Sequence, residues 1–292
     1  MRVTDGMRQT NMVRTLGQLS SAQQDASNRA LTGNRVNKPS DDPAAAAELA
    51  RIRASQAQTE AGLKAASTAE SDLSLSESVL SQANELFTSA RELAQEGTNA
   101  SLDAPTRANL ANQVGQLKAQ LVGLANSKGQ TGYLFAGSQT SARPFDSSGN
   151  FSGDDDAHVV DLGNGTPTAV NVSGARTFTA AGGRNVFDDL DQLQAALAAN
   201  DPTAIANTFA GLEASRQQIV ASQSDAGMRI DRLQTTQDIL TQAKTALQTR
   251  QQTTAGADPY QAYSDLVTLG NSLEQAVAVA KKVLDIGGLI QF

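Results

Sequence analysis

Leu31-Thr32-Gly33-Asn34-Arg35-Val36-Asn37-Lys38-Pro39-Ser40-Asp41-Asp42-Pro43 stands between two helical patterns and decides how the chain is read. Gly33 sits where a helix end favours a residue free to take positive φ. Lys38 precedes a proline and is pushed towards extended backbone. Asp42 is placed to cap the amides of a new helix, with Pro43 at its first position, where the missing N–H costs nothing. The stretch therefore stops one helix, turns the chain and starts another.

Before this stretch, residues 7–31 carry a thin apolar stripe of Met12, Leu16, Leu19, Ala22, Ala26 and Ala30. Its three-and-four spacing is helical, but most of it is alanine, so this helix buries little by itself. From Ala44 to about Glu96 the helical rhythm is almost unbroken. Leu73, Leu80 and Phe87 recur every seven residues, with Val79, Leu86 and Leu93 in an adjacent row. An unbroken helix of this length spans roughly 80 Å at about 1.5 Å per residue. Gly97 and Asn99 supply a stop, and Pro105 opens a helix in which Leu110, Val114, Leu117, Leu121 and Leu124 form a coiled-coil-like face.

Residues 136–185 break the rhythm with Gly, Ser, Thr and Asp. His158–Leu162 and Ala169–Val172 flank Gly163-Asn164-Gly165, which reads as a β-hairpin or a few short strands. Helical period resumes near Val186. Ile205, Leu212, Ile219, Ala226, Leu233, Leu240 and Leu247 then repeat every seven residues, the register of one long helix packed along another. Thr253, Thr254, Gly256 and Pro259 mirror the first break. A final helix follows, with Leu266, Leu269, Leu273, Ala276, Val277, Ala280, Val283 and Leu284 on one face, ended by Gly287-Gly288.

The layout is nearly a palindrome. The expected fold is mainly α: an elongated antiparallel helix bundle with a small β-rich insertion domain. Its parts are an assembly helix and turn (1–43), one half of a long-helix rod (44–135), the β-rich insertion (136–185), the other half of the rod (186–249) and a second assembly helix (250–292). The two terminal helices lack an obvious partner in the chain except each other.

Composition agrees with narrow helix seams. Of 292 residues only 4% are aromatic, and there is no Trp. Net charge is −7, which argues against nucleic acid as the main partner. Residues 1–53 hold eight Lys/Arg against five Asp/Glu, whereas 141–200 hold three against eight, so the two regions suit different surroundings. The absence of cysteine excludes disulfides, thiol catalysis and Cys-ligated metals. No apolar run reaches the length of a membrane span, and the first residues lack the apolar segment of a secretory signal.

The chain offers few residues that could carry chemistry. His158 is the single histidine, near Asp154, Asp155, Asp156 and Asp161. Three consecutive Asp side chains in an extended segment cannot all face one ion, and the spacing is not that of a calcium loop, so a solvated acidic turn is the simpler reading. There is no Gly-x-Ser-x-Gly elbow and no phosphate loop. Asp188-Asp189 sits at a helix start, where the dipole favours negative charge. No catalytic, cofactor or metal residues are expected.

Thr32-Gly33-x-Arg35-Val36-x-x-Pro39-Ser40-Asp41-Asp42-Pro43-Ala44 resembles a motif shared by bacterial flagellins and hook–filament junction proteins. Glu77–Gln82, Leu124-Ala125-Asn126, Gly132–Gly137 and Pro144-Phe145 look like the junction proteins on the filament side. Met1-Arg2-Val3-Thr4 and Leu289-Ile290-Gln291-Phe292 depart from flagellin-like ends, which favours the junction branch. The resemblance implies a flagellin-like bundle whose terminal helices are disordered in the monomer and pair on assembly. It also implies a structural protein without turnover, exported through the flagellar type III channel without a cleavable signal. Its implied partners are further copies in a ring, the other hook-associated junction protein, flagellin, and an export chaperone at the C-terminal helix, with no nucleic acid and no membrane insertion. Leu16, Leu19, Leu266, Leu269, Leu273, Val277 and Leu284 are the expected packing seam. Gly33, Arg35, Pro39, Ser40, Asp41, Asp42 and Pro43 form the motif turn. The rival readings are a flagellin that forms the filament itself and an enzyme with a site in the β insert.

Overall fold

The structure, a computed structural model, describes residues 2–163 and 167–289; the side chains of 2–5, 8 and 284–289 lie outside that description. In chain order the elements are α1 (Arg2–Thr32), α2 (Pro43–Gly97), α3 (Ala104–Ala125), β1 (Val159–Asp161), β2 (Pro167–Ala169), α4 (Gly174–Phe178), α5 (Val186–Ala198), α6 (Pro202–Ala255) and α7 (Pro259–Leu289). The chain is mainly α, with one small two-stranded sheet among the described residues. It divides into two compact units, Met1–Ala57 with Lys244–Phe292, and Gln58–Ala243. The long helices α2 and α6 contribute residues to both.

Within the 58–243 unit α2 and α6 run antiparallel. The Arg91 guanidinium meets Glu213 at 3.4 Å, and Gln234 and Gln237 both donate to Glu70. Their seam follows the heptad rows: Leu73, Leu80 and Phe87 of α2, and Ile205, Leu212, Ile219, Ala226, Leu233 and Leu240 of α6, are all buried. Alanines at 66, 69, 83, 90 and 94 complete the buried α2 face. Helix α3 packs along α5, burying Leu110, Val114 and Leu121. Asp103 caps α3 by accepting from the Thr106 amide at 3.0 Å.

The segment 136–185 departs from a self-contained β domain. Strands β1 and β2 are three residues each and antiparallel, with Val159 opposite Ala169. The second strand lies earlier than expected: Val170 and Val172 are buried in the core, and β2 starts at Pro167. Gly163 takes positive φ (85°), while Asn164 and Gly165 of the expected turn lie outside the described residues. What fixes the segment is aromatic. Phe178 meets Phe135 and Phe145 edge-on, with ring centroids 5.2 and 5.5 Å apart, and stacks on Phe187 at 6.1 Å. These rings belong to the same hydrophobic cluster as Leu80 and Leu233.

Three helix boundaries differ from the sequence reading. The expected rod half after Val186 is two helices, because Asn200 adopts positive φ (54°) and Asp201 then caps α6 through the Thr203 and Ala204 amides. Thr253 and Thr254 remain inside α6, so the second break is only Gly256–Asp258. Helix α7 continues through Gly287 and Gly288 to Leu289; glycine weakens a helix without necessarily ending it.

A buried cation ties two turns together. Arg107 donates from Nε to Gly97 O (2.8 Å), from Nη2 to Asn99 O (2.7 Å), and from Nη1 to Leu102 O (3.0 Å) and Asn200 Oδ1 (2.5 Å). The guanidinium thus satisfies carbonyls at the C-terminal end of α2, where positive charge is favoured. Arg107→Met should lower unfolding stability by about 1–3 kcal/mol, since it leaves the buried Gly97 carbonyl and three part-buried acceptors without this donor; chemical denaturation of both proteins measures it.

Candidate assembly interface

Inside the unit formed by 1–57 and 244–292, α1 and α7 pack against each other. Met12 lies near Val279 and Ala280, and Gln23 near Gly270, so the pair is antiparallel. Leu16, Leu19, Leu266, Leu269 and Leu273 are half-buried in or beside this pairing, and Val277 is exposed. Leu284 lies on α7, but its side chain is outside the described residues. Among the described residues of these two helices the buried ones are few: Ala26, Ala262 and Ala280. Several large apolar side chains face outward, including Leu31 (82% exposed), Tyr260 (89%), Val13 and Val279. Alanine at the contact positions explains why two helices of 31 residues cover each other so thinly.

The motif turn is a clasp onto the second break. Gly33 takes positive φ (67°); its amide donates to Arg29 O at 2.9 Å, and its carbonyl accepts from Ala257 N at 2.9 Å. Arg35 N donates to Ala255 O at 2.6 Å, making an isolated bridge beside Asn34 and Gly256. The Arg35 guanidinium reaches Asp42 Oδ2 (2.9 Å) and Thr254 O (3.3 Å). Asp42 Oδ1 also accepts from Ala45 N at 3.0 Å, the cap expected at the start of α2. Asp41 Oδ2 accepts from the Asn37 and Lys38 amides, both at 3.0 Å. Pro39 and Ser40 form the exposed tip of the turn, and Pro43 is the first residue of α2. Beneath the clasp, Val36, Ala45, Leu49 and Ala255 make a small apolar cluster. The sequence shows both breaks, but the pairing of Val36 and Arg35 with Ala255 is a long-range contact that no local signal encodes.

Hydrogen bonds from the backbone amides of Lys38 and Asn37 hold the Asp41 carboxyl below its ordinary pKa. The Ala45 amide and then the Arg35 guanidinium do the same for Asp42. A carboxyl lowered in the folded state stabilises above its unfolded pKa, and that contribution disappears as pH falls through the folded value. The clasp should therefore be fully formed above about pH 5 and loosen only below the usual carboxylate range. Amide hydrogen exchange at Asn37, Lys38 and Ala45 across an acid titration checks this.

The residues singled out for chemistry are dispersed. Asp154 accepts from Ser138 N (2.7 Å) and Oγ (2.6 Å), while Asp155 bonds Ser173 and pairs with Arg176 at 3.1 Å. The His158 backbone amide donates to Asn171 Oδ1 at 2.9 Å. Among the described residues no group of three or more His, Cys, Asp or Glu could hold a metal ion, and no helix is long and apolar enough to cross a membrane. Asp189 does more than favour a helix start: it is buried, accepts from Ser215 Oγ at 2.5 Å and pairs with Arg184.

Residues 3–140 match the family model of the bacterial flagellin N-terminal helical region. Over 228 residues the chain is 30% identical to flagellar hook-associated protein 3 of Salmonella typhimurium, spanning 70% of this chain and 72% of that protein. The chain belongs to the flagellar hook-associated protein 3 family. It is a structural component of the bacterial flagellum. The fold agrees with two solved relatives. The crystal structure of Bacillus cereus FlgL superposes with a TM-score of 0.60 at 21% identity, covering 69% of this chain and 99% of that one. The flagellar junction protein FlgL of Legionella pneumophila superposes at 0.56 and 17% identity, covering 70% and 100%. At such identities the likeness is one of fold.

Proposed function

We propose that this hook-associated protein joins hook to filament as a ring of identical copies, seated between the other hook-associated junction protein and the first layer of flagellin. It acts by assembly, without turnover. The observation that carries this reading is the α1–α7 pair, which leaves Leu31, Val13, Tyr260 and Val279 exposed along two helices that cover each other only thinly. Apolar faces of that extent mark a surface that further chains cover. Leu16, Leu19, Leu266, Leu269, Leu273, Val277 and Leu284 form the packing seam in this proposal, and the clasp holds the seam helices to α2 and α6.

Before assembly the same helices are the weakest part of the chain. A helical pair with so little buried apolar area is marginal in water, and in the free monomer it is disordered. That state suits passage through the flagellar export channel, with no cleavable signal, and leaves the C-terminal helix available to an export chaperone. A deletion strain tests the role: it should build intact hooks, carry no filaments and shed flagellin monomers into the medium. Filaments of normal length on the deletion strain would refute it.

A further inference from the structure

The 58–243 unit carries two surface features that share no residue. One is a cavity of about 400 Å³ beside α2. Ala65, Thr68 and Ala69 line it from the helix, and Leu134, Val160 and Val170 from the loop and hairpin above. The other is a ridge on α6. Ala221, Met228, Thr235 and Ile239 recur on one helical face, away from the buried Ala226, Leu233 and Leu240. Met228 is 63% exposed and Ile239 60%, an unusual outward placement for side chains of that size.

Cavity and ridge stand at one level along the helices. Glu70 of α2 accepts from Gln234 at 2.9 Å and from Gln237 at 2.8 Å, which places Ile239 beside the stretch of α2 that contains Thr68. Cations rim the cavity and acids flank the ridge, beside an exposed Arg232 on α6 and an Asp72 in the cavity wall that is bonded to the loop after α3. Lys64 lines the cavity, and Lys128 sits over the ring of Tyr133, another lining residue, 4.5 Å from its centroid. Asp231 and Asp238 are exposed along one flank of the ridge.

We propose that Ile239 of one copy seats in the cavity beside α2 of the next copy, with Asp238 and Asp231 facing Lys64 and Lys128. The inference rests on the ring proposed above. Closing a ring of equal subunits needs a heterologous contact, in which two different surfaces of each copy meet. A convex and a concave patch at the same height on one unit meet that requirement. One seated side chain and two rim pairs are far below the roughly 1,200–2,000 Å² of a stable interface. The contact therefore forms when the ring holds copies side by side, and the free protein stays monomeric.

Because the chain has no cysteine, introduced thiols report this contact without background. Thr68→Cys and Ile239→Cys are combined in one chain, and flagella isolated from motile cells are treated with a short bismaleimide. The expected result is a ladder of dimers and higher multiples from the double variant, and monomers from each single variant. Co-expression of the two single variants supplies the same pair between different chains and should give dimers. Monomers alone in both designs, with the protein present in flagella, overturn the inference and leave the ring reading standing. Dimers from either single variant alone overturn it as well, because that contact would be symmetric. Wild-type protein missing from flagella overturns the ring reading, and this inference falls with it.

Discussion

Phe178→Ala should lower the unfolding stability of the 58–243 unit by about 3–5 kcal/mol, the range for deleting a fully buried aromatic ring. Phe178 is fully buried and touches three other rings, so its removal opens a cavity lined by Phe135, Phe145 and Phe187. Urea unfolding followed by far-UV circular dichroism measures the loss. Ile239→Ala, at an exposed position, is the control and should change stability by no more than about 0.5 kcal/mol. The contrast separates the two kinds of apolar residue here, those that hold the fold and those that face outward. A loss below about 1 kcal/mol for Phe178→Ala would show that 136–185 does not share the core of the helices.

The second large effect falls on assembly. Truncation after Thr249 removes α7 together with the Thr254, Ala255 and Ala257 groups that receive the motif turn. The 58–243 unit retains every residue of its main hydrophobic cluster, so the truncated chain should remain soluble and helical. Its ability to build a filament should be lost entirely, and a deletion strain carrying it should stay non-motile. Circular dichroism and swimming-plate assays read the two outcomes together. Restored motility would show that the α1–α7 seam is dispensable.

Much of this was legible along the chain because helices repeat locally. The seven-residue rows at 73–87 and 205–240 are buried as read, since a heptad fixes which face meets a partner. The cap at Asp42 and the positive φ at Gly33 followed from residue chemistry alone. The stop at Asn200-Asp201-Pro202 has a local signal too, an αL-tolerant residue, an N-cap and a proline, but helical patterns on both sides of it mask the break. Other features depend on contacts far apart in sequence. The four phenylalanines at 135, 145, 178 and 187 lie in segments without periodicity, so nothing local shows that they converge. Asp72 is similar: it reads as a polar helix residue, yet its carboxylate accepts from Gln130 N at 2.7 Å and Thr131 N at 3.1 Å, anchoring the loop after α3. For the candidate seam, the stripes showed which residues face one side of each helix. How much of that face the partner helix covers depends on packing, and half-exposed leucines beside buried alanines could not be read from spacing.

The most direct test of the proposed role is where the protein sits. A small epitope tag inserted between Gly163 and Pro167 can be decorated with gold and viewed by electron microscopy on intact flagella. A single band at the boundary between hook and filament is the expected result. Label spread along the whole filament would instead make the protein a flagellin, and flagella without label would contradict the junction role.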